Sequence, residues 1–132
     1  MKYTSKCFLG WDSVEEYINC IESAYKNFPL SGVYGLPRGG LVLAVMISHR
    51  LDIPLLQAPY PDCLIVDDIC DSGESLMHYV NNSSSPNKPN YYVTTMIYNQ
   101  DCPIKVDVSW KTKAHFEKSS FEKAWIVFPW ET

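Results

Sequence analysis

The sequence predicts an α/β fold: one domain with a mostly parallel sheet flanked by helices. Short runs rich in β-branched and aromatic residues alternate with longer amphipathic or apolar stretches, as in strands joined by crossover helices. The run Cys63-Leu64-Ile65-Val66 ends abruptly in Asp67-Asp68, as a strand buried on both faces does when it surfaces. The 132 residues, 46% apolar and 14% aromatic, suffice for one packed core and leave little room for a second. Residues 1–132 are therefore read as one domain.

The elements follow in order. Ser13 with Glu16 has the form of a capping box. The helix it opens runs to about Phe28, with Val14, Tyr17, Ile18, Ile21 and Tyr25 on one face. Pro29 and Gly32 stop it. Residues 32–36 form a short strand and Pro37-Arg38-Gly39-Gly40 a turn. Residues 41–51 are almost wholly apolar, so this helix should lie buried against the sheet. Asp52-Ile53-Pro54 closes it, and residues 55–57 can add a short strand. After the strand ending in Asp67-Asp68, small residues lead into an apolar, helix-like segment over 76–80. Residues 81–90 are a polar loop, 91–98 and 106–110 read as strands, and 125–128 precede Pro129-Trp130. There are no internal repeats.

A net charge of −4 without any basic cluster disfavours long nucleic acid or an anionic membrane as partner. No apolar run approaches a membrane span and the N-terminus lacks a signal-peptide pattern, so a cytoplasmic location is expected. The five cysteines, Cys7, Cys20, Cys63, Cys70 and Cys102, are odd in number, scattered, and never in a C-x-x-C pair. They read as reduced thiols, several buried, and Cys70 is expected to pack rather than react.

Two constellations carry chemistry. Asp67 and Asp68 are followed by Asp71-Ser72-Gly73-Glu74-Ser75. Hydroxyls and backbone N–H groups gathered at a strand end suit a phosphate dianion. The acids beside them then need a divalent cation, a sugar diol, or both. In Leu36-Pro37-Arg38-Gly39-Gly40-Leu41, two glycines permit close approach to the backbone and Arg38 supplies a fork for phosphate oxygens. Ligands of open parallel sheets bind at the carboxyl ends of the strands. Both turns lie at such ends, so one crevice can receive both.

The first constellation resembles the 5-phosphoribosyl-1-pyrophosphate (PRPP) signature of the type I phosphoribosyltransferases: apolar residues, two acids, a spacer, then Asp-Thr/Ser-Gly-x-Thr/Ser. Every position is filled here. The second is similar to the pyrophosphate loop of the purine members. Gly10-Trp11-Asp12 and Trp125-Ile126-Val127-Phe128-Pro129-Trp130-Glu131 resemble matching segments of the bacterial xanthine-guanine enzymes. The resemblance implies Mg²⁺-dependent transfer of a 5-phosphoribosyl group from PRPP to a purine-like base, as in purine salvage, by a possible homodimer or homotetramer.

It assigns the 5′-phosphate to residues 71–75, the ribose hydroxyls to Asp67 and Asp68, and a metal contact to Asp68. Arg38, Gly39 and Gly40 would hold pyrophosphate. Asp71 and Arg38 would be catalytic, Asp71 as general base. Trp125 would stack on the base and Ile126 offer its backbone, under a short C-terminal hood. A non-proline cis peptide is implied at Pro37–Arg38.

Two departures stand out. The family's long covering loop is replaced by about six residues between Gln57 and Cys63. A Lys that reads the 6-oxo group is replaced by Tyr98 and Asn99 at the end of the 91–98 strand. The base edge then falls to those two residues. Trp125 and Trp130 can also be read as aromatic core plugs. Two further readings stay open. One is a non-catalytic module on the same fold that senses PRPP or a nucleotide. The other is a receiver-like metal-binding signalling domain, which would need a catalytic Lys late in the chain after a strand; Lys105, Lys111 and Lys113 are available, but none explains the phosphate turn.

Overall fold

The structure, a computed structural model, describes residues 5–80, 89–117 and 124–131 of the 132. Four parallel strands form the central sheet in the order β2 (Val33–Gly35), β3 (Leu64–Cys70), β4 (Tyr92–Tyr98), β5 (Val108–Thr112). A separate parallel pair joins β1 (Ser5–Phe8) to β6 (Ala124–Val127). Helix α1 (Trp11–Tyr25) follows β1, and α2 (Gly39–Leu51) crosses from β2 to β3. The expected α/β architecture with a parallel sheet and flanking helices is present.

Alternation along β3 explains the two-sided core. Leu64 and Val66 pack with Val14, Tyr17, Ile18 and Ile21 of α1 and Leu43 and Ile47 of α2. Ile65 faces the opposite way and joins Cys63, Cys70, Leu76, Val93 and Ile104. A strand with both faces covered must be apolar throughout. The Tyr17 hydroxyl hydrogen-bonds Thr94 Oγ1 at 2.8 Å, and Thr94 Oγ1 donates to the Val108 carbonyl at 2.8 Å. This ties α1 to the middle of the sheet.

Several local expectations are corrected. Helix α1 begins at Trp11 with extended Gly10 as its N-cap and no side-chain cap. Asp12 Oδ1 accepts from the Ser13 N–H, so Ser13 lies inside the first turn and closes no capping box with Glu16. The helix stops at Tyr25, before Phe28. Helix α2 buries Gly40, Leu43, Ala44 and Ile47 but exposes Leu41 and Val45, so its apolar sequence is not buried all round. Residues 55–57 contribute a single bridge, Val33 to Leu55. Residues 76–80 form turns closed by Tyr79 N–H and Val80 N–H to the Leu76 carbonyl, not a helix. The polar stretch 81–88 and residues 118–123 lie outside the described residues. Among those described, no helix is long and apolar enough to cross a membrane.

Replacing Tyr17 by Phe removes the hydroxyl from the Thr94 bond, while Thr94 keeps its bond to Val108. The expected loss is about 1 kcal/mol of folding free energy, read by equilibrium urea unfolding. A neutral result would show that the bridge does not fasten α1 to the sheet.

Candidate functional site

The carboxyl end of β3 is the centre of the site because β3 has a helix start on one side and a turn directly beyond it. A Cβ at Gly39 would strike the Asp68 carboxylate, and one at Gly40 would strike the Val66 carbonyl. Only glycine permits this seating of α2. It brings the Arg38 turn onto the acids, and the Pro37–Arg38 peptide there is cis. Arg38 itself is exposed and no described residue pairs with its guanidinium.

Asp67 and Asp68 sit within the strand rather than beyond it, with their carboxyl groups within hydrogen-bonding reach of each other. Asp67 lines a cleft of about 130 Å³ with Asp71, Ser72, Gly73, Glu74 and Ser75. Asp68 lines a second cleft of about 210 Å³ with Asp71, Lys113, Trp125, Ile126 and Glu131. Asp71 and Ile69 belong to both. In the first cleft Gly73 adopts φ +83°, a conformation that favours glycine, and buried Leu76 anchors the turn from below. The Ser72 hydroxyl oxygen accepts from the Glu74 N–H at 3.3 Å.

Burial pushes the Asp67 carboxyl up to about 7, and the neighbouring Asp68 charge adds to the rise. Burial also raises Asp68, with Glu131 contributing, although the Ile69 N–H bonded to its carboxylate acts in the other direction. Asp71 lies at the rim, half exposed. The Asn99 side-chain amide donates to its carbonyl and to its Oδ1, each at 3.1 Å, and Lys113 Nζ is 3.3 Å from the same Oδ1.

The hood consists of β6 and the one-turn 3₁₀ segment after it, held by pairing of β6 with β1. Trp125 is 46% exposed and lines the second cleft, whereas the Ile126 side chain is buried. Trp130 stacks on Phe128, with centroids 5.0 Å apart and planes 7° from parallel. The core-plug reading therefore suits Trp130 and not Trp125.

Not every predicted residue gathers. The Tyr98 hydroxyl donates to the Ile104 carbonyl, so Tyr98 is turned into the following loop and does not line the second cleft. Asn99 reaches the site only through Asp71. Lys113, at the end of β5, was read only as one of three lysines for a receiver-like fold, yet it lines the cleft with a side chain only 13% exposed. No local motif marks it; a strand followed by Lys was the available signal. The connection from Gln57 to Cys63 stays at the amino end of the strands, where the Asp62 N–H donates to the Asn90 carbonyl and the Ser31 N–H to the Asp62 carbonyl. It covers neither cleft.

Solved structures share this fold. A purine phosphoribosyltransferase from Pyrococcus horikoshii Ot3 matches with a TM-score of 0.73 and 24% identity, over 96% of this chain and 94% of its own. The xanthine-guanine-hypoxanthine phosphoribosyltransferase of Helicobacter pylori matches at 0.67 and 18%, over 96% and 94%. An orotate phosphoribosyltransferase from Aeropyrum pernix matches at 0.60 and 19%, over 80% and 71%. The chain has the type I phosphoribosyltransferase fold. No family model matches the sequence. Within this fold the crevice carries its acids on β3, its glycine turn at the start of α2 and its aromatic wall on the hood.

The raised Asp67 makes a pH prediction. Its folded value of about 7 exceeds the usual 3.8, so the folded state favours the protonated form. That contribution is complete below about pH 4 and is lost as pH rises through about 7. Urea unfolding of the ligand-free protein should show this decline. Asp67→Asn, a neutral mimic, should flatten it; an equal slope in the variant would place the loss elsewhere.

Proposed function

We propose that the chain is a Mg²⁺-dependent phosphoribosyltransferase that transfers the 5-phosphoribosyl group of PRPP to an oxopurine-like base with release of pyrophosphate, as in purine salvage. Support comes above all from Asp71 standing where two clefts adjoin, one walled by small turn residues and the other by Trp125 and Lys113. One ligand with a phosphate at one end and a flat base at the other fills both.

In this reading residues 71–75 take the 5′-phosphate, Asp67 and Asp68 the ribose hydroxyls, and Arg38 with the Gly39 and Gly40 amides the pyrophosphate. Among the described residues no group of three or more His, Cys, Asp or Glu is placed to hold a metal ion. Mg²⁺ keeps several waters and takes one or two carboxylates plus phosphate oxygens, a requirement that Asp68 beside Asp67 fits. When bound it neutralises charge on the pyrophosphate and on the acids.

The reaction breaks the anomeric C–O bond to pyrophosphate and forms a bond from that carbon to a ring nitrogen of the base. Arg38 meets the charge that builds on the leaving group, and Trp125 holds the base in line. The proton leaving the base passes to the Asp71 carboxylate, which Asn99 and Lys113 hold in place. Lys113 has only donors to offer. It therefore favours an oxo group on the base over an exocyclic amine, and the main chain at Ile126 is left to meet the ring edge.

The short Gln57-to-Cys63 connection favours a second reading, a non-catalytic module that binds PRPP or a nucleotide, because a lid normally excludes water from such chemistry. Incubation with PRPP, Mg²⁺ and a panel of bases separates the two. Pyrophosphate release that depends on an oxopurine supports the enzyme. Tight PRPP binding with no release under any base supports the module, and absence of both sinks the shared site.

Two variants sharpen the assignment. Trp125→Ala should weaken base or nucleotide binding about tenfold or more, given roughly 1–3 kcal/mol per stacked base, with PRPP affinity and melting temperature little changed. A collapsed melting temperature without selective loss would return Trp125 to the core. Lys113→Met removes a charge-assisted bond worth about 1.5–3 kcal/mol. It should lower kcat/KM for oxopurines roughly ten- to a hundredfold further than for aminopurines, which lose only the Lys113 contact to Asp71; equal losses for both would remove Lys113 from base selection.

A further inference from the structure

We propose that Cys70 and Cys102 are a reversible redox pair whose disulfide weakens the phosphate turn. Their sulphurs lie 3.5 Å apart although 32 positions separate them, and both are free thiols. Topology brings them together. Cys70 ends β3 opposite Tyr98 of β4, the Asn99 N–H donates to the Cys70 carbonyl at 2.8 Å, and the Cys102 N–H turns back to the Asn99 carbonyl at 3.0 Å. A disulfide needs the sulphurs at about 2.05 Å, so the side chains must close by roughly 1.5 Å from that separation.

The pair lies directly under the turn. A Cβ at Gly73 would stand 2.8 Å from both Cys102 Sγ and the nearest Ile104 side-chain carbon, so the turn rests on these atoms. Asp71 follows Cys70 in sequence and is held by the Asn99 amide. The loop over residues 99–104 therefore supports the turn at both ends. Drawing the Cys102 sulphur toward Cys70 takes it from beneath Gly73 and shifts the strand end that leads into Asp71.

Cys102 is part-exposed and Cys70 buried, so a small peroxide meets Cys102 first. The Cys102 thiol reduces the peroxide, releasing water, and becomes a sulfenic acid. The Cys70 sulphur then displaces that hydroxyl as a second water carrying the Cys70 proton, and the S–S bond forms. Two electrons pass from the thiols to the peroxide, and a dithiol reverses the change. Among the other cysteines, Cys20 is exposed and Cys63 buried, and no thiol partner is placed beside either among the described residues.

Only the effect on binding rests on the proposed phosphate site. The full chain is treated with hydrogen peroxide, alkylated, and mapped by mass spectrometry without reduction. Hydrogen exchange over residues 71–76 is compared before and after, with the Leu76 N–H bonded to the Gly73 carbonyl at 3.2 Å as reporter. PRPP affinity is measured in both forms. A Cys70–Cys102-linked peptide that dithiothreitol removes, faster exchange over 71–76, and about tenfold weaker PRPP binding are expected. Cys70→Ala, which leaves the Cys102 sulphur beneath Gly73, or Cys102→Ser, which keeps a smaller atom there, should bind PRPP much as the reduced protein does and form no link with peroxide. Adducts confined to other cysteines, or a linked protein with unchanged exchange over 71–76, overturn the proposal. If PRPP binds neither form, the proposed function fails, while the link and the exchange still decide whether the pair acts on the turn.

Discussion

Gly39 and Gly40 carry no side chain where a Cβ would collide with the Asp68 carboxylate and the Val66 carbonyl. The first turn of α2 therefore lies directly on the carboxyl end of β3. This contact sets the turn that carries Arg38 beside Asp68, and it also determines how α2 can reach the sheet. Leu43, Ala44 and Ile47 then meet Leu64 and Val66 in the core shared with α1. A methyl group at either glycine would lift the helix, open that core and part the two turns. Fold and site thus share one steric constraint.

Electrostatics impose the opposite demand. Two adjacent carboxylates are placed where burial raises both, within hydrogen-bonding reach of each other, and the Asp68 and Ile69 N–H groups bond Asp67 Oδ1 and Asp68 Oδ1. The cost of holding them ionised remains until a ligand supplies hydroxyls or positive charge. Asp71 is treated differently. It stands at the rim with Lys113 and Asn99 on the same oxygen, so its charge is met by the protein itself. Three acids within five positions are therefore not equivalent: the first two require an external partner and the third has internal ones.

Much of this was legible in the sequence because it is local. The buried run before Asp67, the small residues after Asp71 and the paired glycines after Arg38 each report their own backbone environment, and the structure gathers them at one sheet edge. What escaped depends on distant pairing. Strand β1 is formed because Ser5 to Phe8 align with Ala124 to Val127, and no local pattern announces that. Lys113 enters the cleft because β5 pairs with β4, and Cys70 meets Cys102 because the chain folds back after β4. The missed capping box has a local cause, since Gly10 in extended form already starts the helix. Residues 76–80 have an apolar pattern but only enough length for turns around Leu76, and so short a segment gains little from helix nucleation.

The short connection before β3 changes how the site can exclude water. Its residues remain at the amino end of the sheet, so enclosure among the described residues must come from elements already fixed by pairing. The hood walls the second cleft through β1 and β6, and the 71–75 turn walls the first on a base of Leu76, Cys102 and Ile104. Among the described residues the Arg38 turn has no such wall, and Arg38 is exposed. In the proposed transfer such a site would take its orientation from strands and turns, and would rely on electrostatic stabilisation by Arg38 and the acids more than on desolvation by a closing segment.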